Sequence, residues 1–471
     1  MKKQGLNPYL PSWEYIPDGE PYVFNDRVYV YGSHDRFNGH AYCLNDYVCW
    51  SAPVDDLADW RYEGVILKAT DVEDNEDRDS CLYAPDVAVG PDGRYYLYYV
   101  DSKRSVVSVA VCDQPAGKYE FYGYVQYPDG VRLGEKEGDE PQFDPGVLVE
   151  GDQVYLYTGF CPIGNRSRSG AMATVLDTDM ITITQDPVIV APSEPYSKGS
   201  GFEGHEFFEA SSIRKKGNIY YFIYSSILMH ELCYATSQYP TKGFEYRGTI
   251  VSNSDIGIGS YKPADKPMAY GGNNHGSIVE INGHWYIFYH RHTNGINYSR
   301  QACLEEIFFL DDGTIPQVEI TSCGPNGGSL KGFGEYHTYI ACNLFCDEES
   351  VYTDCTGSWM NNLFPKITQD GKDGDEEEGF IANMKNSATA GFKYFDCKGI
   401  KKIKIKVRGY CKGDFEIKTS WNGPALGKIP VVYSNAWKEY ASDIMIPDGI
   451  HALYITYTGE GSASLASFTL E

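Results

Sequence analysis

One strand-like phrase occurs five times along the chain, and this repeat constrains the fold more than any other feature. Each copy is rich in tyrosine and β-branched residues and follows Gly, Asp or Asn, as the second strand of a β-hairpin does. The copies are DRVYVYGS (26–33), GRYYLYYV (93–100), DQVYLYTG (152–159), NIYYFIYSS (218–226) and GHWYIFYH (283–290). Their equivalent tyrosines recur roughly every 60 to 70 residues, at Tyr29, Tyr96, Tyr155, Tyr221 and Tyr286.

A repeat of this length holds about four short strands with their loops, which is the size of one β-propeller blade. Five blades closed around an axis leave few exposed sheet edges. The hairpins of an ordinary β-sandwich are the alternative, but they would not be expected to keep so long and even a period. The 40 tyrosines and 49 glycines suit strands joined by tight turns. We therefore predict an all-β protein with a five-bladed propeller over residues 1–322.

A polar residue opens the strand that precedes each repeated phrase. The five are Glu20, Asp86, Asp144, Glu209 and His275. Because equivalent strand positions of a propeller form a ring around its axis, these side chains are predicted to converge at one end of the tunnel. A single Asp or Glu at a strand start is usually a turn cap. Five in register indicate a functional cluster, since crowded carboxylates raise each other's pKa values and are concentrated at functional sites.

An acidic ring among aromatic residues fits glycoside cleavage. In that reaction a carboxylic acid protonates the leaving oxygen, and a carboxylate activates water. A site for calcium or another hard cation is the rival use of clustered carboxylates. The formal net charge of −25 disfavours nucleic acids and anionic membrane surfaces as partners.

Targeting and cysteine patterns favour an intracellular location. The two N-terminal lysines are not followed by the apolar run of a secretory signal, and no stretch is long enough for a spanning helix, so we expect a cytoplasmic protein. The 13 cysteines include no CxxC pair, which favours neither a disulfide framework nor a zinc cage. No motif indicates an organic cofactor, and the sequence does not specify an oligomeric state.

The order of the motifs resembles glycoside hydrolase family 43. The resemblance covers roughly residues 5–320 and is carried by DGEP, YAPDV, FDP, FEASSIRKKGNIYYFIYS and NHGSIVEINGHWYIFYHRHT. It implies a five-bladed propeller with an Asp base, an Asp that tunes the pKa of the acid, and a Glu acid. Matched by position, it implies that Asp86 is the modulator and Glu209 the acid, with Glu206 as the fallback acid.

The general base is where the sequence departs from the family. Family members usually have Asp-Pro where this chain has Glu20-Pro21, and Asp18 lies two residues earlier. The extra methylene moves a carboxylate by about 1.5 Å, and a misplacement near 1 Å can cost about a hundredfold in rate. The base is therefore Glu20, or Asp18 through a shifted turn, or the enzyme is impaired.

The resemblance also implies a histidine beside a bound cation, which matches His275, and the metal would be calcium. Asp144 is a candidate substrate-binding residue, with a turn cap as the alternative. Arg291 is a candidate substrate clamp because its guanidinium offers a fixed fork of donors, with a blade-closing salt bridge as the alternative. His34 and Asp35 follow the first aromatic strand and are further candidates for the pocket.

The last third of the chain changes character. The Gly-rich segment 323–340 reads as a linker, and residues 341–471 alternate like the strands of a β-sandwich (jelly roll). Parts of this region are similar to family 6 carbohydrate-binding modules. The similarity implies a sugar-clamping Trp437, joined by Trp421 or Tyr394, although core packing is the alternative for Tyr394.

The acidic ring predicts a glycosidase, and the family resemblance implies an inverting one that releases a terminal pentose, α-L-arabinofuranose or β-D-xylose, from plant-derived oligosaccharides such as xylan fragments. Glu20 would activate water, Glu209 would protonate the leaving oxygen, and Asp86 would tune the acid. Three alternatives stay open at this point: a non-catalytic sugar-binding propeller, a family-43-like galactosidase, and a metal-stabilised scaffold protein.

Overall fold

The computed structural model describes residues 3–346 and 364–471, and nearly all of their regular structure is β-strand. Five antiparallel sheets follow one another along the chain, and the strands of each sheet lie in chain order. These sheets are the five blades of a propeller, so the predicted all-β class and propeller are confirmed. Among the described residues, no helix is long and apolar enough to span a bilayer.

The first three blades have four strands each. Blade 1 comprises β1 (Glu20–Phe24), β2 (Arg27–Tyr31), β3 (Tyr47–Pro53) and β4 (Arg61–Leu67). Blade 2 comprises β5 (Asp86–Val89), β6 (Tyr95–Tyr99), β7 (Ser108–Cys112) and β8 (Glu120–Tyr124). Blade 3 comprises β9 (Gly146–Glu150), β10 (Gln153–Thr158), β11 (Gly170–Leu176) and β12 (Ile183–Pro192).

The last two blades complete the ring. Blade 4 comprises β13 (Phe207–Lys216), β14 (Ile219–Ser226), β15 (Glu231–Ser237) and β16 (Glu245–Ser252). Blade 5 has three strands, β17 (Ile278–Ile281), β18 (His284–His292) and β19 (Arg300–Ile307). The N-terminal segment runs beside β19, where Tyr9 N donates to Ala302 O at 3.2 Å. A bridge between Gly19 and Gly276 joins blade 1 to blade 5 and closes the ring.

The C-terminal domain is one curled sheet of ten strands. Its strands are β20 (Leu330–Lys331), β21 (Gly334–His337), β22 (Asn343–Phe345), β23 (Lys366–Thr368), β24 (Phe380–Met384), β25 (Thr389–Cys397), β26 (Lys402–Lys418), β27 (Gly427–Val431), β28 (Ser434–Asp443) and β29 (Gly449–Leu470). The two longest, β26 and β29, pair along most of their length. The sheet curls over an apolar core that includes Phe392, Phe415 and Phe468.

The segment 323–340, predicted as a linker, lies within this domain in the structure. It contributes β20, which pairs with β25, and β21, which pairs with β29. Its glycines suggested a flexible connection, but Leu330 and Tyr336 are buried in the core of the domain. The apolar side chains of this segment therefore dock it onto the sheet.

The two domains are joined by buried charged groups. Lys393 Nζ, on β25, lies 2.8 Å from Asp255 Oδ2 and 3.2 Å from Glu319 Oε2 of the propeller side. Lys393 and Asp255 are fully buried. Because removing one partner of such a pair leaves the other charged and desolvated, the contact ties the folding of the two domains together.

Candidate active site

A pocket of about 360 Å³ opens at one end of the propeller. Every blade contributes a residue to it from the start of its first strand. These five residues are Asp18, Ala84, Asp144, Glu209 and His275. Convergence of polar groups from four of the five blades makes this the candidate active site.

Strand register explains which side chains reach the pocket. The first two strands of each blade pair at equivalent positions, which are Tyr22–Tyr29, Ala88–Tyr96, Leu148–Tyr155, Arg214–Tyr221 and Val279–Tyr286. Four residues before the paired position stand Asp18, Ala84, Asp144 and His275. Glu209 stands five before, because register shifts on both sides of it mark a β-bulge that adds a residue. We call these five residues the pocket ring.

A second ring lies beneath the first. It is formed by the residues two positions before the paired residue, namely Glu20, Asp86, Gly146, Ser212 and Ser277. Side chains two residues apart share a strand face but differ by about 7 Å along the strand. We call this set the tunnel ring, and none of its members lines the pocket.

The sequence analysis treated residues from both rings as equivalent positions, and the structure separates them. Glu20 and Asp86, predicted as catalytic residues, belong to the tunnel ring. Asp18 occupies the pocket position of blade 1, and Ala84 occupies that of blade 2. The error arises because blades 1 and 2 carry an acidic residue two positions closer to the paired residue, at the level of the tunnel ring, and residue type alone does not distinguish the two levels.

Glu20 is held by buried partners of the tunnel ring. Its Oε2 accepts hydrogen bonds from Arg214 Nη2 at 2.5 Å and Ser212 Oγ at 3.1 Å. Burial raises the pKa of Glu20, but Arg214 and His275 outweigh it, so the pKa lies below its usual value. Glu20 is therefore an ionised partner of Arg214.

The Asp86 carboxylate accepts three hydrogen bonds from protein donors. Its Oδ1 accepts from Tyr22 OH at 2.6 Å and from its neighbour Val87 N at 2.7 Å, and its Oδ2 accepts from Val147 N at 2.7 Å. Burial, followed by the Glu20 carboxylate, raises the pKa of Asp86 to about 7. These bonds join blades 1, 2 and 3 through Asp86.

Asp18 lies in the pocket beside two bases. Its Oδ1 is 3.0 Å from Arg300 Nη1 and 3.3 Å from His290 Nδ1. Burial raises the pKa of Asp18, but Arg300 and then His290 outweigh it and hold the pKa well below its usual range. Asp18 is thus ionised at neutral pH.

Asp144 and Glu209 have the opposite electrostatic surroundings. Asp144 Oδ2 accepts from Ala210 N at 3.0 Å and lies 3.6 Å from His275 Nδ1. Burial raises the pKa of Asp144 to about 7 despite His275, and Asp18 adds to the rise. Burial and then the charge of Asp144 raise the pKa of Glu209 to about 8. Glu209 therefore keeps its proton at neutral pH.

His275 carries charge between the two rings. Its Nε2 lies 3.8 Å from Glu20 Oε1, on the side away from Asp144. Burial lowers the pKa of His275, but the carboxylates of Glu20, Asp144 and Asp18 outweigh burial and raise it to about 9. An imidazolium here balances the carboxylates of both rings.

The backbone is unusual at all three pocket carboxylates. Asp18 has φ 59°, Asp144 has φ 41°, and Ala210, next to Glu209, has φ 68°. Residues with a Cβ rarely adopt positive φ, and such conformations cluster at functional sites, where they orient side chains. The strained turns and the bulge direct the three carboxylates into one pocket.

Arg300 is a pocket residue that the sequence analysis missed. It lies on β19, is buried, and faces Asp35, whose Oδ2 is 2.8 Å from Arg300 Nε and whose Oδ1 is 3.0 Å from Nη2. Asp35 was predicted to line the pocket. The structure places it behind Arg300 as a bidentate partner that fixes the guanidinium.

Aromatic side chains form one wall of the pocket. Tyr83, Phe143, Phe160 and Phe208 contact one another in series, with neighbouring ring centroids 5.0 to 5.4 Å apart. They line the same cavity as the charged groups. A pocket with one apolar wall and convergent polar groups suits a sugar, whose ring has an apolar face and a hydroxyl rim.

Other predicted residues lie outside the pocket lining. His34 contacts Glu14 and Asp46 O. Arg291 does not line the pocket and forms no salt bridge with a described residue; it donates to Gln301 and to Tyr339 O and Ala341 O at the domain junction. Glu206 accepts hydrogen bonds from Ser197 Oγ and Gly204 N and does not line the cavity, whereas Glu209 does.

The aromatic candidates of the C-terminal domain also lie elsewhere. Trp437 is half-buried on β28 against Phe380, with Arg408 over its ring. Trp421 packs against a small cluster at the domain junction, and Tyr394 OH donates to Glu319 at 2.5 Å. Sugar binding by Trp437 stays a prediction.

Comparison with known proteins identifies the family. The model of "Glycosyl hydrolases family 43" matches residues 16–315. A "Xylosidase/arabinosidase" of Thermoclostridium stercorarium is 76% identical over 470 residues, which cover 100% of this chain and 99% of that protein. "Xylosidase/arabinosidase 43A" of Humicola insolens is 30% identical over 343 residues, covering 64% of this chain and 96% of that protein.

Two solved structures share the fold. A family 43 arabinoxylan arabinofuranohydrolase from Bacillus subtilis, in complex with cellotetraose, has a TM-score of 0.53 at 21% identity and covers 98% of this chain and 97% of its own. A family 43 β-xylosidase/α-arabinofuranosidase from a compost microbial metagenome, in complex with xylotriose and in a calcium-free form, has a TM-score of 0.53 at 25% identity, covering 68% and 99%. The chain is therefore a glycoside hydrolase and belongs to family 43.

Proposed function

We propose that the protein is an inverting glycosidase that releases a terminal pentose, α-L-arabinofuranose or β-D-xylose, from plant-derived oligosaccharides. The observation that carries the mechanism is the opposed surroundings of two carboxyl groups in one pocket: Arg300, 3.0 Å from Asp18, lowers the pKa of Asp18, whereas burial and the charge of Asp144 raise the pKa of Glu209. Carboxyl groups with such opposed pKa values divide into base and acid. The full-length match to a xylosidase/arabinosidase supports the choice of a pentose.

Asp18 acts as the general base in this proposal. It takes a proton from a water molecule as the water oxygen bonds to the anomeric carbon. Arg300 keeps Asp18 ionised and aligned, because its guanidinium is itself fixed by Asp35. Asp18 thus takes the role predicted for Glu20, whose Oε2 is engaged by Arg214 and Ser212 outside the pocket.

Glu209 acts as the general acid. It gives its proton to the glycosidic oxygen as the bond from that oxygen to the anomeric carbon breaks. Asp144 keeps the pKa of Glu209 high through its negative charge and thus takes the role predicted for Asp86. After one turnover Asp18 holds the proton and Glu209 is ionised, and exchange with solvent restores both.

A calcium ion fits the tunnel below the pocket. Glu20 Oε1 is a buried oxygen with no hydrogen-bond partner among the described residues, and it lies 3.8 Å from His275 Nε2. Glu20 and neutral His275 would hold the ion, with water as the remaining ligands. The ion would supply a fixed positive charge beside the pocket carboxylates. Without the ion, the protonated His275 side chain supplies that charge.

The test is a panel of nitrophenyl glycosides, with proton NMR of the first sugar released. Release of a pentose with inverted configuration is expected. A retained anomer would overturn the inverting mechanism, and cleavage of galactosides alone would overturn the pentose assignment. Binding of pentosides without turnover would favour a non-catalytic sugar-binding propeller. Full activity in Glu209→Gln would remove Glu209 from the role of acid.

A further inference from the structure

A second cleft, of about 380 Å³, lies beside blade 1, away from the catalytic pocket lining. Both domains build it. The propeller side contributes Trp13, Glu14, Trp50 and Tyr62, and the C-terminal domain contributes Asp373 and Glu376. We call it the interdomain cleft.

Two aromatic side chains form an accessible surface in the cleft. Trp50 on β3 pairs directly with Tyr62 on β4, and their ring centroids are 5.4 Å apart. Trp50 is half-buried, whereas Tyr62 is 48% exposed although it is a large aromatic residue. An exposed aromatic beside a partly covered one offers flat apolar faces to a ligand.

Polar contacts hold this surface in place. Glu14 Oε2 accepts from Trp50 Nε1 at 3.0 Å, and Glu14 Oε1 lies 3.0 Å from His34 Nε2. Asp373 accepts from Phe37 N at 2.7 Å and from Asn45 Nδ2 at 3.1 Å, which fastens the C-terminal loop to the propeller. The cleft is thus preorganised, which lowers the entropy cost of binding.

The residues that line the interdomain cleft favour a sugar over an ion as its ligand. Glu14, Asp373 and Glu376 repel anions, and no Lys or Arg is among the described residues that line the cleft. Glu14 and Asp373 already accept two contacts each, which disfavours their use as cation ligands. A carboxylate still has lone pairs for further donors, and sugar hydroxyls supply donors beside an apolar ring face.

We infer that the interdomain cleft binds a second, non-reacting stretch of a pentose-containing oligosaccharide. The loop between β2 and β3 links it to catalysis, because this loop gives Tyr42 and Cys43 to the catalytic pocket and His34 and Asn45 to the cleft. A chain held in the cleft is therefore anchored close to the site of cleavage. The inference rests on the proposed function for the identity of the sugar.

The test measures glycan binding without cleavage. In a Glu209→Gln background, mobility of the full chain is measured in native gels containing soluble arabinoxylan. Tyr62→Ala is expected to weaken binding roughly five- to tenfold, the size of one aromatic contact. Tyr239→Ala is the matched control, since Tyr239 is 55% exposed on another blade, and it is expected to bind like the parent. Equal binding by Tyr62→Ala and its parent would overturn the inference.

A kinetic measurement separates this inference from the proposed function. With Glu209 intact, Tyr62→Ala is expected to raise the ratio of KM for arabinoxylan to KM for an aryl pentoside. An unchanged ratio contradicts the cleft as a binding site while leaving the proposed function standing. Failure of the parent to cleave any aryl pentoside contradicts the proposed function, whereas gel retardation that depends on Tyr62 would still support the cleft.

Discussion

Asp18 and Glu20 are two residues apart, yet their carboxylates lie at different levels of the propeller. Asp18 Oδ1 is 3.0 Å from Arg300 Nη1 at the pocket, and Glu20 Oε2 is 2.5 Å from Arg214 Nη2 in the tunnel ring. Carboxylate–arginine pairs thus occur at two levels of the propeller, one at the pocket ring and one at the tunnel ring. This relationship leads to the first prediction.

Asp18→Asn is expected to lower kcat for an aryl pentoside by about 10²- to 10⁴-fold, the usual contribution of a general base. Glu20→Gln is expected to lose less activity but more stability, because it removes the negative charge that pairs with the buried guanidinium of Arg214. Both are measured by steady-state kinetics and thermal unfolding. A loss of activity in Glu20→Gln as large as that in Asp18→Asn, with the fold intact, would return the base assignment to Glu20.

The pH profile of kcat/KM is expected to fall as pH rises through about 8, because the active form of Glu209 is protonated and its pKa is raised to about 8. Asp144 and Glu209 interact, so the profile reports the pair. Asp144→Asn removes the second cause of that rise, and the basic limb is expected to move to lower pH. A basic limb that does not move would show that Asp144 does not tune the acid.

Asp35→Asn is expected to destabilise the protein by about 3–5 kcal/mol, because it removes a carboxylate from the buried Arg300 guanidinium. Urea unfolding measures the change. Asp370→Asn is the matched control, since Asp370 makes a 2.7 Å pair with Arg408 at the surface. The control is expected to cost about 0–1 kcal/mol. Equal losses in the free energy of unfolding for the two variants would contradict a larger contribution from the buried Arg300–Asp35 pair.

Lys393→Met is expected to destabilise both domains together by about 3–5 kcal/mol, because Asp255 is left buried without its ammonium partner. Lys404→Met removes an ammonium from a 2.5 Å pair with Glu471 that is partly exposed, and it serves as the control. Tryptophan fluorescence and circular dichroism follow unfolding. Separate transitions in the parent protein would contradict the coupling.

The propeller was predictable because each repeated phrase is the second strand of a blade. The aromatic residues of these strands, such as Tyr221 and Tyr224, are buried between sheets, so the fold requires them at every repeat. The family resemblance rests on the same phrases, and the family match confirms it. The linker was misjudged because glycine content hid the buried side chains of Leu330 and Tyr336.

The site was predictable only where the strand start marks it. Asp144, Glu209 and His275 were found by register, but Asp18 remained an alternative because Glu20 also stands near the strand start and residue type does not distinguish the pocket ring from the tunnel ring. Arg300 lies on the third strand of its blade, outside the repeated phrase, and its pairing opposite His292 depends on the register of β18 and β19. The structure reveals Arg300 as a pocket group through its 3.0 Å contact with Asp18, which is distant in the sequence.

Ala210 restricts the backbone beside Glu209. Glycine adopts a φ of 68° without the steric cost of about 1 kcal/mol that alanine bears, but glycine loses more backbone entropy on folding, so Ala210→Gly would change the stability of the fold little. The same substitution would let the Glu209 carboxyl sample more orientations. The methyl group of Ala210 therefore contributes to precision at the site and not to the endurance of the fold.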